Sequence, residues 1–522
     1  MKKLLPTLVL FICSLTAFSQ QPTDKLLEFY NILRFSYVDS FDFDALSEQA
    51  IITMLAELDP HSMYIPSEKV KQMNESLKGE YEGIGIQFDL YHDTVLVVTV
   101  IPGGPSALSG IRSGDRIIKA DEKVISGASM SDADIINILR GKHGTLVNLT
   151  VKRRGIANNQ VFPIKRDKIP INSVDVSYMI DDHTGYIKIN RFSKNTMDEF
   201  KTAMKDISNQ GGDRLIIDLR DNGGGYLMSA VDLADEFLDG RTEIVRTKGL
   251  RQSEQVFKSS SKGSFQQGKL VVLVNEGSAS ASEIFAGAIQ DRDRGVILGR
   301  RTYGKGLVMK PYTLSDGSVI RLTTSKYYTP SGRCIQKEYG DSKDTYDHEI
   351  TERFEKGEMF HLDSANFPKE LLFKTEHGRN VYGGGGILPD VFVAADSVLL
   401  SEPLQKIFKT TAFVDFSMQF SEDNRTLLSN YSNENELWRD QDISLQLTEG
   451  FLYYLKNESI ISEDLGPEYN LPLKRQLMAF IGRYVWDDYA YHRIMNKEQL
   501  IIDEALRVLN DNEFNWDELS FK

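Results

Sequence analysis

The sequence predicts an α/β core carrying an inserted β-rich domain, with helical regions at both ends. Three observations predict it. From Gly185, apolar strand-like runs alternate with amphipathic helix-like runs, the pattern of a sheet flanked by helices. Between Tyr81 and Arg166, short strands broken by glycine and proline turns replace that pattern. Outside both stretches, apolar residues recur at helix spacing. A chain of 522 residues exceeds one ordinary core. Its changes of texture divide it into residues 20–78, 79–167, 168–395 and 396–522.

Residues 1–19 read as an export signal. Lys2 and Lys3 are followed by the apolar stretch Leu4–Leu15, and Ala17-Phe18-Ser19 precedes Gln20 as a cleavage site. The stretch is short for a bilayer span. Cys13 suggests lipidation, but Ile12 stands before it where a small residue is expected. Loss of the signal removes two lysines and no acid, so the formal charge moves from −14 to −16. Such an acidic chain lacks the basic surface that nucleic acid requires. Cys334 is then the remaining cysteine, which leaves no internal disulfide and no thiolate metal cluster. An exported chain without disulfides fits the periplasm of a Gram-negative bacterium.

In residues 24–78, Leu26, Leu27, Phe29, Tyr30 and Leu33, and later Ile51, Ile52, Met54, Leu55 and Leu58, keep helix spacing until LDPHS (58–62) breaks it. In the next segment GIGIQFDL and TVLVVTVI read as strands, and Ser129 or Ser131 caps a helix that Gly141 stops. Beyond Gly185 come the strands GYIKINRF, DRLIIDLR, KLVVLVN and RGVILGR, interleaved with helices NTMDEFKTAMKDISNQG, YLMSAVDLADEFL and SEIFAGAIQD. YTLSDGSVIRLTTSKYYTPSG reads as a hairpin, residues 340–380 as polar and irregular, and the rest as acidic helices.

Chemistry concentrates in NEGSASASEI (275–284), a serine cluster where a buried strand turns into a helix. Such a turn exposes a hydroxyl and aims the unpaired first N–H groups of the helix near it. A serine nucleophile also needs a base and oxyanion donors. No histidine lies between 184 and 347, and neither G-x-S-x-G nor H-E-x-x-H is present. Lys305, between Gly304 and Gly306, is the alternative base, because burial lowers the pKa of an amine and flanking glycines permit close packing around it. A surface lysine in a glycine turn is the plainer reading. The glycines 223–225 in DLRDNGGGYL follow a buried strand and can aim N–H groups at an anion, or can simply turn the chain. Ser280 and Glu283 have S-x-x-E spacing, so Ser280 stands at the turn as a cap, a nucleophile or both.

LDPHS, DLRDNGGG, NEGSASASEIFAGAIQD, RTYGKG, DGSVIRLTTSKYYTPSGRCIQ and GGILPD, in this order, resemble the C-terminal processing peptidases, or tail-specific proteases, of serine peptidase family S41. The likeness runs from about residue 40 to 395. It implies a ClpP/crotonase-like α/β core and a Ser–Lys dyad, with Ser280 as nucleophile and Lys305 as base. It also implies the N–H groups of Gly224 and Ala281 as oxyanion donors. Residues 79–167 look like the family's PDZ domain, with Gly83, Ile84 and Gly85 holding a peptide carboxylate. A strand with a tight glycine approach is the other reading of those glycines. The resemblance implies a serine endopeptidase that needs no cofactor or metal and acts on proteins or peptides with free C-termini. One departure stands out. The family's glutamine four residues after the lysine is Met309 here, and a thioether donates no hydrogen bond. A catalytically impaired peptide-binding homologue is therefore the alternative, and a structural envelope protein a third. The region 396–522 is open to adaptor binding or self-association.

Overall fold

The computed structural model describes residues 22–91, 94–127, 130–340, 343–362, 368–511, 514–516 and 520–521. The export signal, Cys13 and Ser129 lie outside them. The chain divides into two units, Met1–Glu57 and Leu58–Lys522. The first holds the helices Pro22–Ser36 and Phe43–Ala56. Asp42 starts the second of these by accepting from the N–H groups of Asp44 and Ala45.

In the second unit the central sheet runs Val174–Met179, Thr184–Ile189, Arg214–Asp218, Lys269–Val274, Val296–Gly299, Val391–Phe392 in spatial order. All neighbours are parallel except the first pair. A parallel sheet needs apolar cover on both faces. Helices Thr196–Asn209, Leu227–Asp235 and Ala281–Asp291 cover one face through Phe200, Ile207, Leu233, Phe285 and Ile289. The other face is covered from far along the chain. Helix Leu500–Asn510 packs Ile501, Ile502, Ala505 and Leu509 on Ile216, Val271, Leu273 and Leu298. The last helix thus completes the core of the sheet, although a reading by texture assigns it to a separate region. Texture cannot report which surface an amphipathic helix will find.

A second sheet orders Met63–Ile65, Val319–Tyr328, Glu243–Gly249, Gln252–Lys258, with Leu307–Thr313 also paired to Val319–Tyr328. It brings LDPHS onto the hairpin. The Asp59 carboxylate accepts from the N–H groups of His61 and Ser62 and from the hydroxyls of Ser62 and Thr323.

The inserted β-domain is a sheet ordered Ile86–Tyr91, Thr94–Val100, Arg116–Ala120, Leu146–Lys152, Gln160–Lys165. Helix Asp132–Leu139, capped by Ser131, packs Ile135 and Leu139 into its core. Strands Glu80–Gly83 and Asp167–Pro170 pair with each other and close the insert at its base.

The described residues between 340 and 380 are more ordered than their polarity predicts. They include helix Lys343–Glu355, which has little apolar periodicity and is held by polar anchors. Arg353, 3% exposed, donates to the carbonyls of Arg301 and Thr302 and pairs with Glu358. Buried Tyr346 meets the rings of His61, Tyr303 and Tyr339. Hydrophobic patterning is blind to a helix bound in this way. Arg353→Ala strips three partners at once, and urea denaturation is expected to show a loss of about 3 kcal/mol, the scale for breaking a buried ion pair.

Candidate active site

Strand Lys269–Val274 enters helix Ala281–Asp291 through a turn that uses each serine differently. Ser278 is buried; its hydroxyl donates to the Leu219 carbonyl and accepts from the N–H of Asn275. The Ser282 hydroxyl donates to the Asn222 carbonyl, and the Ala279 N–H donates to the same oxygen. The outer two serines therefore fasten the turn to the loop 219–222. The middle one is left half-buried at φ 57° and ψ −111°. A positive φ in a non-glycine residue costs on the order of 1–3 kcal/mol and persists only where the surroundings impose it.

Glu283 imposes it. Its buried carboxylate accepts four hydrogen bonds. Oε2 takes the N–H of Ser280 and the N–H of Lys305, both at 2.8 Å. Oε1 takes the N–H of Gly304 at 2.7 Å and the hydroxyl of Thr302 at 2.6 Å. The nitrogens of Ser280 and Lys305 share one acceptor atom, so they lie no more than twice 2.8 Å apart. The expected S-x-x-E box forms at the start of this helix, and the N–H of Glu283 also reaches the backbone carbonyl of Ser280. Tyr327, 1% exposed, adds a second brace by donating to the carbonyls of Ser280 (3.0 Å) and Lys305 (2.5 Å). Burial pushes the Glu283 carboxyl up, while its four donors pull it down.

The glycines beside Lys305 are places of close approach. A Cβ on Gly304 would lie 3.1 Å from the backbone of Gly385 and Gly386, and one on Gly306 would lie 2.8 Å from the nitrogen of Gln336. Gln336 also accepts from the Gly306 N–H. Burial in this packing lowers the Lys305 pKa; Glu283 opposes it, Arg321 adds to it and Asp59 opposes it. No salt bridge to Lys305 is present among the described residues. Met309 lies half-buried on strand Leu307–Thr313 opposite Thr323, whose hydroxyl is already given to Asp59. His61 also belongs to this neighbourhood. Burial and then the charge of Lys305 lower its pKa to about 4, and its Nε2 lies 2.8 Å from the Tyr346 hydroxyl.

The loop 218–225 is anchored from below. Burial alone would raise Asp218, but the Arg220 guanidinium and Lys188 outweigh it and hold the carboxyl far below its ordinary value. Gly224 has φ +96°, and a Cβ there would lie 2.8 Å from the Cβ of Ser280, so the loop and the turn touch. The two expected oxyanion donors differ. The N–H of Ala281 has no acceptor among the described residues. The N–H of Gly224 is already given to Asn222 Oδ1 at 2.9 Å, so it does not stand open as the sequence reading supposes. An Asx turn satisfies this N–H locally, and no pattern of glycines reveals that.

At the base of the inserted domain Gly83, Ile84 and Gly85 are buried. The N–H groups of Ile84 and Gly85 find no acceptor among the described residues, while their carbonyls accept from Ser106 and Ile101.

With this geometry in hand, comparison with known proteins is direct. The sequence model of Peptidase family S41 matches residues 183–345, and that of the PDZ domain matches residues 83–161. A carboxy-terminal-processing protease of Bartonella bacilliformis is 38% identical over 339 residues, which cover 63% of this chain and 77% of that protein. The carboxy-terminal processing protease CtpA of Bacillus subtilis is 35% identical over 315 residues, covering 60% of this chain and 66% of that one. This chain thus spans just under two thirds of the Bacillus protein. The solved photosystem II D1 C-terminal processing protease shows 27% identity and a TM-score of 0.39, covering 72% of this chain and 87% of its own. The class that the two sequence models and the two relatives define is the serine-type peptidase with a PDZ domain. The chain belongs to peptidase family S41, that of the carboxy-terminal-processing proteases.

Motif order brought Ser280, Lys305 and Gly224 to notice, but not the braces Glu283 and Tyr327 or the neighbour His61. S-x-x-E spacing was the available signal for Glu283, and it pointed to a helix cap. Glu283→Gln keeps the shape but offers one oxygen in place of two acceptors. Turnover is expected to fall about 100-fold or more, since a displacement near 1 Å of reacting groups has that effect. Steady-state kinetics on an unfolded protein substrate measures it.

Proposed function

We propose that the chain is an exported serine endopeptidase that cleaves polypeptides presenting accessible C-terminal tails, with Ser280 as nucleophile and Lys305 as general base. The observation that carries this reading is the shared hold of Glu283 and Tyr327 on the backbones of both residues, together with the burial that disfavours the charged amine. Neutral Lys305 takes the Ser280 proton as the hydroxyl oxygen attacks the peptide carbonyl. The Ala281 N–H meets the oxyanion, and the Gly224 N–H joins it once released from Asn222 Oδ1. Protonated Lys305 then gives its proton to the leaving amine, and water, activated in the same way, hydrolyses the acyl-enzyme. Export to a periplasm rests on residues 1–19. Tail recognition rests on the open N–H groups of Ile84 and Gly85 within the PDZ domain.

A second reading, a tail-binding homologue with impaired catalysis, is favoured by Met309 and by the engaged N–H of Gly224. One experiment separates them. Wild type, Ser280→Ala and Lys305→Ala are incubated with an unfolded protein that ends in apolar residues. Cleavage by wild type alone is expected; equal cleavage by all three removes the dyad, and tail binding without cleavage by wild type selects the second reading. Met309→Gln is expected to raise kcat by supplying a polar neighbour for Lys305.

The pH profile provides another check. The reactive form of Lys305 is neutral, so rate rises as pH climbs through its pKa. Burial lowers that pKa. The acid limb of kcat/KM is therefore expected below the ~10.4 of an exposed lysine, and a limb at that ordinary value counts against a buried base.

A further inference from the structure

We propose that the C-terminal helical region forms the outer wall of the PDZ groove, so that a bound tail is read on two sides by two parts of the chain. This rests on the tail-binding reading above and extends it to residues that neither matched family model reaches.

Strand Ile86–Tyr91 is the terminal strand of its sheet. One edge is taken by Thr94–Val100, and the other offers a row of unpaired backbone groups for an added strand. Beside that edge is a cleft of about 1110 Å³. Its apolar floor is Ile84, Ile86, Phe88, Ile136 and Leu139. The volume exceeds the ~300–1,000 Å³ of small-molecule sites and suits several residues of extended chain. Arg483, Trp486, Asp487, Tyr489 and His492 close the cleft from the C-terminal region. They stand where helix Asn470–Val485 ends and helix Asp488–Met495 begins, the second being started by Asp487, which accepts from the Ala490 N–H. This break carries Tyr489, 43% exposed, into the lining.

The wall is fixed to the domain it faces. Arg154 of the PDZ domain reaches Glu422 at 2.8 Å and Asp423 at 2.7 Å. A Cβ on Gly114 would lie 2.8 Å from the Tyr484 hydroxyl, so the two surfaces are in contact there as well. The occupant is an extended C-terminal peptide. Its carboxylate meets the N–H groups of Ile84 and Gly85; Arg140 stands beside Gly83, but its guanidinium pairs with Glu75 and lies over the Tyr81 ring. Its backbone pairs with Ile86–Tyr91, and the six residues of that strand match about 20 Å of chain. Residues upstream of the terminus then pass between the strand and Tyr489, where an apolar side chain gains most.

The test uses full-length Ser280→Ala, which holds a tail without turning it over, and two fluorescent peptides. One has ten residues, the other only the last four of the same apolar C-terminal sequence. The ten-residue peptide is expected to bind about tenfold more tightly, and Tyr489→Ala to remove that advantage while leaving the short peptide unchanged. A photo-cross-linking side chain placed at position 489 is expected to capture the long peptide upstream of its last four residues, a result that does not depend on Tyr489→Ala folding normally. Equal binding of both peptides with no cross-link overturns the wall while the PDZ groove stands. Ile136→Asp is expected to weaken both peptides; if it weakens neither, the tail-binding reading fails and the wall fails with it.

Discussion

One buried carboxylate organises the centre of this molecule. Glu283 sits on the first turn of a helix with no solvent around it, a position that is costly for a charge unless donors surround it. Here four donors do, and they come from two segments well apart in the sequence: Ser280 on one side, Thr302, Gly304 and Lys305 on the other. A charge-assisted hydrogen bond is short and directional, so the carboxylate works as a template for the backbones around it. The unfavourable φ of Ser280 persists because its N–H has this fixed acceptor and its carbonyl is held by Tyr327.

Support for that template reaches outward in layers. Gly386 and Gln336 press against the loop of Lys305, and the hydroxyl of Thr302 accepts from the N–H of Ile387. Arg353 holds the carbonyls of Arg301 and Thr302, so a polar helix distant in sequence steadies the same loop. On the opposite side Asp218 and Arg220 anchor the glycine loop, and Ser278 and Ser282 tie the serine turn to it. Within that loop the N–H of Gly224 is engaged by Asn222 Oδ1. Asn222 is itself buried, and its Nδ2 donates to the Ile189 carbonyl, so the same amide ties the glycine loop to the neighbouring strand.

The C-terminal helices serve more than one surface. Leu404, Phe413, Leu447, Phe451 and Leu477 build a core of their own, while Ile501 to Leu509 cover the central sheet. Between these two roles lies the helix break at 486–488, beside the PDZ groove. The PDZ domain is therefore flanked by the peptidase body at its base and by helices along its groove.

What the sequence determined by itself was whatever depends on local pattern. Alternating strand and helix periodicity marked the α/β core, glycine and proline turns marked the insert, and ordered short motifs marked Ser280, Lys305 and the glycine loop. These features are local because backbone geometry and side-chain alternation are set by near neighbours. Only the tertiary structure decided the rest. It made Glu283 a brace across residues 280 to 305 as well as a helix cap, brought His61 and Asp59 toward Lys305, gave the Gly224 N–H to Asn222, and assigned the last helix to the sheet. Apart from the local Asx turn of Asn222 and Gly224, each of those outcomes is a pairing of groups far apart in the chain. Burial and hydrogen-bond satisfaction select such pairings among many possible partners, and one-dimensional spacing carries no record of that choice.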